Sequence, residues 1–277
     1  MKLVTYLYKD REQVGLLEGD TVRPLPYADM TALIEAKDLS AAPAAESLPL
    51  SAVQLLAPIP RPRQDVICLG INYKAHAQEA QQYSAEFKKE RPIPIYFSKR
   101  VTEAVGPDGY IESHPGLVER LDYEVELAVI IGKRAKNVPA EKAADYIFGY
   151  TILNDVSARV LQTSHKQWYF GKSLDGFTPI GPCIVTADEI AFPPKLKISA
   201  SVNGELRQDS TTDLLVTSIA DIIAELSSGM TLLPGTIIAT GTPSGVGMGF
   251  DPPKFLKSGD VVECTIEGIG TLRNIVR

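Results

Sequence analysis

Cysteine is scarce. Cys68, Cys183 and Cys264 are odd in number and far apart, which excludes a disulfide framework or zinc knuckle and fits buried thiols in a reducing compartment. No apolar run approaches the roughly 20 residues that a membrane-spanning helix needs. The opening MKLVTYLYKDREQVG is charged by residue 9 and lacks a signal peptide's apolar stretch, so the expected location is cytoplasmic. A basic excess is missing too. With 28 Lys and Arg against 34 Asp and Glu, the net charge is −6, which excludes a general nucleic-acid or acidic-membrane partner.

Several nucleotide and hydrolase signatures also fail. A P-loop ending at Gly171-Lys172-Ser173 needs glycine at 166, which is Lys166. Gly245, Gly247 and Gly249 run on to Phe250, so no G-x-G-x-x-G occurs, and no serine sits in G-x-S-x-G. There is no internal repeat or low-complexity tract.

The chain is 44% hydrophobic over 277 residues, enough for a sizeable core. Residues 1–60 read as a small N-terminal α+β unit. KLVTYLY and VGLLEG are strands around a charged turn, and DMTALIEA is a short helix capped by Asp29. The prolines of APIPRPRQD mark the boundary, leaving 61–277 as the second unit. There, SVNGELRQ predicts a hairpin turning at Asn203-Gly204, and TSIADIIAELSSG a helix with Ser218 and Asp221 as a capping box and Gly229 at its end. Many strands with few, irregularly placed helices predict a β-rich α+β fold.

VERLDYEVELAVIIGKR carries the chemistry. Val125, Leu127, Val129 and Ile131 alternate on one face, while Asp122, Glu124 and Glu126 recur on the other beside Ala128 and Ile130. Like charges on so apolar a strand fit a divalent-cation site: hard oxygen donors suit Mg²⁺, Mn²⁺ or Ca²⁺. The third ligand expected is Asp155, where a strand Tyr150 to Leu153 ends and a helix begins; the plainer reading is solvated charges with Asp155 as a helix cap. Asp122, nearer the strand's polar start, is left out of the ligand set. Arg159 and Gln162 follow Asp155 at helical spacing and suit a substrate carboxylate or an ordinary helix pair.

In GINYKAHAQEA, Asn72 is expected to cap a helix on which His76 and Glu79 are neighbours. Such a pair makes a general base or a common surface contact. Lys172, in a loop among aromatics and glycines, suits an oxyanion or is a surface lysine. ATGTPSGVGMG, with Thr242, offers backbone N–H groups to a carboxylate or phosphate.

From VICLGINY to the C-terminus these segments resemble the fumarylacetoacetate hydrolase family. DYEVELAVIIGKRAKNV, IFGYTILNDVSAR, FGKSLDGFTPIGP, VNGELRQ and TGTPSGVG occur in the family's order. The resemblance implies a mixed β-roll catalytic domain, a homodimer and a Mg²⁺ or Mn²⁺ cofactor. It places Glu124, Glu126 and Asp155 at the metal-ligand positions, His76 and Glu79 as the base dyad on a lid, and Lys172 near the metal. Arg159, Gln162 and Thr242 match positions that contact substrate oxygens. Many relatives carry a basic residue where Ile71 stands, and QQYSAEFKKERPIPIYFSKR, which matches loosely, is expected to form much of the lid. The activity implied is cleavage of a C–C bond in a small 2-oxo, 1,3-diketo acid. Decarboxylation of an oxaloacetate-type acid and isomerisation of 2-hydroxyhepta-2,4-diene-1,7-dioate use the same motif residues. A non-catalytic metal-binding protein is the alternative of another class.

Overall fold

The computed structural model describes residues 1–36, 45–83 and 93–277. Strands β1 (Lys2–Tyr8), β2 (Arg11–Glu18) and β3 (Thr21–Pro24) open the chain. Helix α1 (Met30–Ala36) follows, and Asp29 Oδ1 accepts the Ala32 N–H at 2.7 Å, the cap that its side chain predicts. Two short strands, β4 (Leu48–Pro49) and β5 (Gln54–Leu55), lead through the prolines to β6 (Val66–Gly70), helix α2 (Lys74–Tyr83) and β7 (Ile95–Lys99). Of the expected lid, residues 84–92 lie outside the described residues.

Next come β8 (Tyr110–Ile111), β9 (Leu121–Asp122), β10 (Val125–Ile131), β11 (Ile147–Asn154) and β12 (Ser157–Ala158). Two short helices, α3 (Arg159–Ser164) and α4 (Tyr169–Lys172), precede β13 (Ile180–Thr186). The hairpin of β14 (Lys197–Val202) and β15 (Glu205–Thr211) turns at Asn203 and Gly204, both left-handed (φ 53° and 78°), as a type I′ turn requires. Helix α5 (Ile219–Gly229) begins at Ser218, whose Oγ accepts the Asp221 N–H. Strands β16 (Ile237–Ala239), β17 (Val261–Ile266) and β18 (Gly270–Val276) complete the fold.

The fold is β-rich and mixed. One large sheet runs β4-β3-β2-β1-β13-β11-β10-β16-β6-β7, and a second runs β15-β14-β17-β18-β8. The N-terminal strands extend the large sheet, because β1 pairs with β13 through Lys2–Val185 and Leu3–Ile184. Between the sheets lies the main core, where Val125, Leu127, Val129 and Ile131 meet Ile198, Val262 and Leu272. Ala128 and Ile130 face the opposite way, onto a second core with Leu33 and Ile34 of α1. Strand β10 is therefore buried on both faces, and Glu126, on the second face, has an apolar sheet beneath it.

Two expectations change. Asp155 does not open a helix. Its N–H donates to Glu124 O at 2.8 Å, and Ser157–Ala158 pairs with Leu121–Asp122 as a short strand, so α3 begins only at Arg159. Asn72 does not cap α2. Its Nδ2 donates to Thr217 O and Thr240 O, and its Oδ1 accepts the Thr217 N–H, tying three segments together at the base of the site.

Because Asn72 is buried, its loss strands several partners at once. Asn72→Ala should destabilise the protein by about 2–4 kcal/mol, at roughly 1 kcal/mol per bond plus desolvation. Urea unfolding checks this; a loss under about 1 kcal/mol would contradict the bridging role.

Candidate active site

Strand β9, the start of β10 and the end of β11 place four carboxyl groups together. Glu124, Glu126 and Asp155 offer oxygens that all lie within 4.8 Å of one another. Asp122 is buried beside them, not at a polar strand start. Buried carboxylates need counter-charges, and three buried bases supply them. Lys172 Nζ lies 2.9 Å from Glu124 Oε2 and 2.6 Å from Asp155 Oδ2. Lys99 Nζ binds Asp155 Oδ1 at 2.6 Å. Arg159 donates through Nε to Asp122 Oδ2 (2.8 Å) and through Nη1 to Glu124 Oε1 (2.6 Å).

One carboxyl is left over. Glu126 has no ion-pair partner among the described residues, and its Oε2 accepts the Gly241 N–H at 2.8 Å. Burial, then Asp155 and Glu124, push this carboxyl well above the usual range. Glu124 goes the other way: burial alone would raise it, but Lys172 and Arg159 outweigh burial and hold it far below. The donor set is all oxygen, and oxygens shared by one divalent ion lie at most about 5 Å apart. The trio fits such an ion, with Glu126 as the uncompensated ligand.

A pocket opens over this cluster, and Glu124, Glu126, Arg159, Gln162, Lys172 and His76 all line it. His76 is buried, not a surface residue, and its Nδ1 lies 3.0 Å from Glu79 Oε2. A carboxylate only accepts, so Nδ1 carries the proton and Nε2 is left as the base. Lys172, expected in a loop, is the last residue of the one-turn helix α4 and is 1% exposed. Gln162 Oε1 accepts from Arg159 Nη1 at 3.1 Å, while Arg159 Nη2 is buried without a partner among the described residues.

Thr242 lines the pocket, but its hydroxyl is engaged, donating to Val125 O and accepting from Gln208 Nε2, both at 2.8 Å. Opposite the charged residues, Trp168, Met248 and Ala80 form an apolar cluster with Ile71 and Phe97. Ile71, β-branched, adopts φ 27°, a conformation that costs about 1–3 kcal/mol.

The glycine-rich loop does hold carboxylates, but they are the protein's own. Gly241 N serves Glu126, Gly245 N serves Glu79, and Gly247 N and Met248 N serve Asp122. Gly241 must be glycine: its φ is 96°, and a Cβ there would meet Asn72 Cβ at 2.7 Å.

Lys99 and Gln208 escape the reading of the sequence, as does the pairing of Asp122 with Arg159. Lys99 had a signal, since in IYFSK it shares a strand face with Ile95 and Phe97. Gln208 had none: fully buried, it accepts the Val125 N–H and donates to Thr242 Oγ1 and Pro243 O.

Comparison with known proteins agrees with this geometry. A family model described as fumarylacetoacetate hydrolase C-terminal matches residues 65–277, and one described as Rv2993c-like, N-terminal matches residues 1–58. The chain belongs to the fumarylacetoacetate hydrolase family. It is 49% identical over 225 residues to the oxaloacetate tautomerase YisK of Bacillus subtilis, covering 81% of this chain and 73% of that protein. The solved structure of a fumarylacetoacetate hydrolase from psychrophilic Exiguobacterium antarcticum matches with TM-score 0.89 and 40% identity, covering 100% of this chain and 99% of that one. That of a 2-hydroxyhepta-2,4-diene-1,7-dioate isomerase from Mycobacterium marinum matches with TM-score 0.82 and 36% identity, covering 100% and 98%. Similar frames thus carry three different reaction names. Among the described residues, no helix is long and apolar enough to cross a membrane.

Two substitutions separate metal binding from scaffolding. Glu126→Gln should abolish tight Mn²⁺ binding in calorimetry with little loss of stability, because it removes the carboxyl without a counter-ion. Asp122→Asn should retain one Mn²⁺ per chain yet destabilise by about 3–5 kcal/mol, the usual effect of breaking a buried pair. Equal effects on metal binding would contradict the assignment.

Proposed function

We propose that the protein is a divalent-metal-dependent tautomerase that interconverts the enol and keto forms of a small 2-oxo dicarboxylic acid, with oxaloacetate the first candidate. One observation carries the reading. A single pocket brings an imidazole oriented by a carboxylate, a buried ammonium and a guanidinium nitrogen without a protein partner against Glu124 and Glu126. The identity to YisK supports the choice of substrate.

Ketonisation moves one proton from the enol oxygen to C3. Glu124, Glu126 and Asp155 would hold Mg²⁺ or Mn²⁺, whose charge would lower the energy of an enolate. Arg159, through its free Nη2, and Gln162 bind a substrate carboxylate and fix its orientation. His76 Nε2 exchanges the proton at C3, and Glu79 keeps the imidazole in the tautomer that allows it. Lys172 places a positive charge beside the substrate oxygen. The apolar wall of Trp168, Phe97 and Met248 excludes water, which favours proton return to carbon over side reactions.

Cleavage of a C–C bond in an acylpyruvate is the second reading, favoured by the structural match to the Exiguobacterium hydrolase. It assigns His76 a different proton, that of an attacking water. Loss of a carboxylate as CO₂ needs no water.

Following the decay of enol-oxaloacetate absorbance, with Mn²⁺ and then with EDTA, tests the proposal. Metal-dependent acceleration is expected, abolished by EDTA and slowed 10²- to 10⁴-fold in His76→Ala, the usual span for a lost general base. Acetylpyruvate is assayed alongside. Its faster conversion to pyruvate and acetate would favour hydrolysis, and Mn²⁺ binding with no turnover of either compound would favour a non-catalytic metal-binding protein.

A further inference from the structure

Besides Glu126, the loop after β16 grips two acids that serve different parts of the site. Gly245 N donates to Glu79 Oε1 at 2.9 Å, and Glu79 Oε2 faces His76 Nδ1 at 3.0 Å. Two residues further on, Gly247 N and Met248 N donate to Asp122 Oδ1 and Oδ2 at 2.6 and 3.0 Å. Asp122 Oδ2 also receives Arg159 Nε at 2.8 Å. An unbroken line of bonds therefore joins the guanidinium to the imidazole through one short turn. The turn is braced: Tyr123 Oη donates to Gly245 O, Gly249 N to Val246 O and Lys254 N to Gly247 O, at 2.8, 2.9 and 2.8 Å.

Gly249 completes the seat. A Cβ built there would lie 1.8, 2.0 and 2.3 Å from Oε1, Cδ and Cγ of Glu79, and those are its three nearest atoms. A methyl group at this position collides first with the Glu79 side chain.

We propose that the Gly245–Gly249 loop couples the Asp122–Arg159 pair to the His76–Glu79 dyad, with Gly249 a positioning residue that acts through Glu79. The inference rests on the reading of His76 and Glu79 as the proton-transfer pair. A carboxylate that draws on Arg159 also loads Asp122, and through Gly247 and Met248 it loads the seat of Glu79. Anion recognition and orientation of the base are then one event.

The chain has three histidines, so ¹⁵N-imidazole NMR of the metal-free protein resolves them, with His76→Gln identifying the relevant signal. Gly249→Ala should move the His76 signal to its position in Glu79→Gln, leaving His114 and His165 unmoved. Asp122→Asn should move it in the same direction. Arg159→Lys, which loosens Asp122 from its other side, gives the same readout should Asp122→Asn not fold. In a Glu79→Ala background, Gly249→Ala should change neither Tm nor the His76 signal, because the obstructing atoms are gone. An unmoved His76 signal in folded Asp122→Asn or Arg159→Lys overturns the coupling. A Tm loss from Gly249→Ala that persists without Glu79 overturns its role as a seat. The spectra need no turnover, so failure of the coupling and failure of the proposed activity are seen separately.

Discussion

Charge burial governs this structure. Asp122, Glu124, Glu126 and Asp155 sit buried with Lys99, Arg159 and Lys172, and an isolated ion there would cost several kcal/mol or more. The arrangement answers with pairing: Asp155 is held by two ammonium groups, Glu124 by an ammonium and a guanidinium, Asp122 by a guanidinium and backbone N–H groups. Among the described residues, four acids against three bases leave one carboxyl unmatched, at Glu126. A divalent cation held there would more than offset that imbalance, and would make the pocket a place where a substrate's negative charge can grow.

Precision in such a site comes from what surrounds it. Strand β10 is locked between two cores, so Glu126 cannot drift. The loop after β16 contributes few side-chain contacts to the pocket, yet its N–H groups orient Glu126, Glu79 and Asp122. Gln208 and Asn72 hold that loop and its neighbours from beneath. Backbone donors suit this task because they are fixed by the fold and do not reorganise when charge moves.

Much of this was legible in the sequence. The alternation in VELAVII marked a strand facing the core, Ala128 and Ile130 marked its other face as buried too, and the acids recurring on that face marked the cluster. The spacing of His76 and Glu79 on a helix, the Asn203-Gly204 turn and the Ser218 cap all rest on local rules, and local rules suffice there. The rest depends on long-range pairing. Asp155 looked like a helix start because helical spacing relates it to Arg159 and Gln162; pairing of Ser157 with Asp122 holds the chain extended instead. Gln208 was hidden by a register shift. Leu206 pairs with Ser201 and Gln208 with Ala200, so Arg207 is the extra residue and the apolar leucine faces solvent while the amide is buried. The glycine-rich loop advertised anion binding, but only the fold shows that its anions are internal.

The separate reaction names carried by similar proteins follow from the chemistry. Tautomerisation, isomerisation, decarboxylation and hydrolysis of 2-oxo acids all pass through negative charge delocalised from a carbon onto an adjacent carbonyl oxygen. What differs is the proton or bond that the imidazole addresses. The account therefore stands or falls on the carboxylate trio. Diffraction from a manganese-soaked crystal, collected at the manganese absorption edge, addresses it most directly. The account predicts one anomalous peak per chain, bonded to oxygens of Glu124, Glu126 and Asp155; no peak there, with the three side chains turned apart, would contradict it.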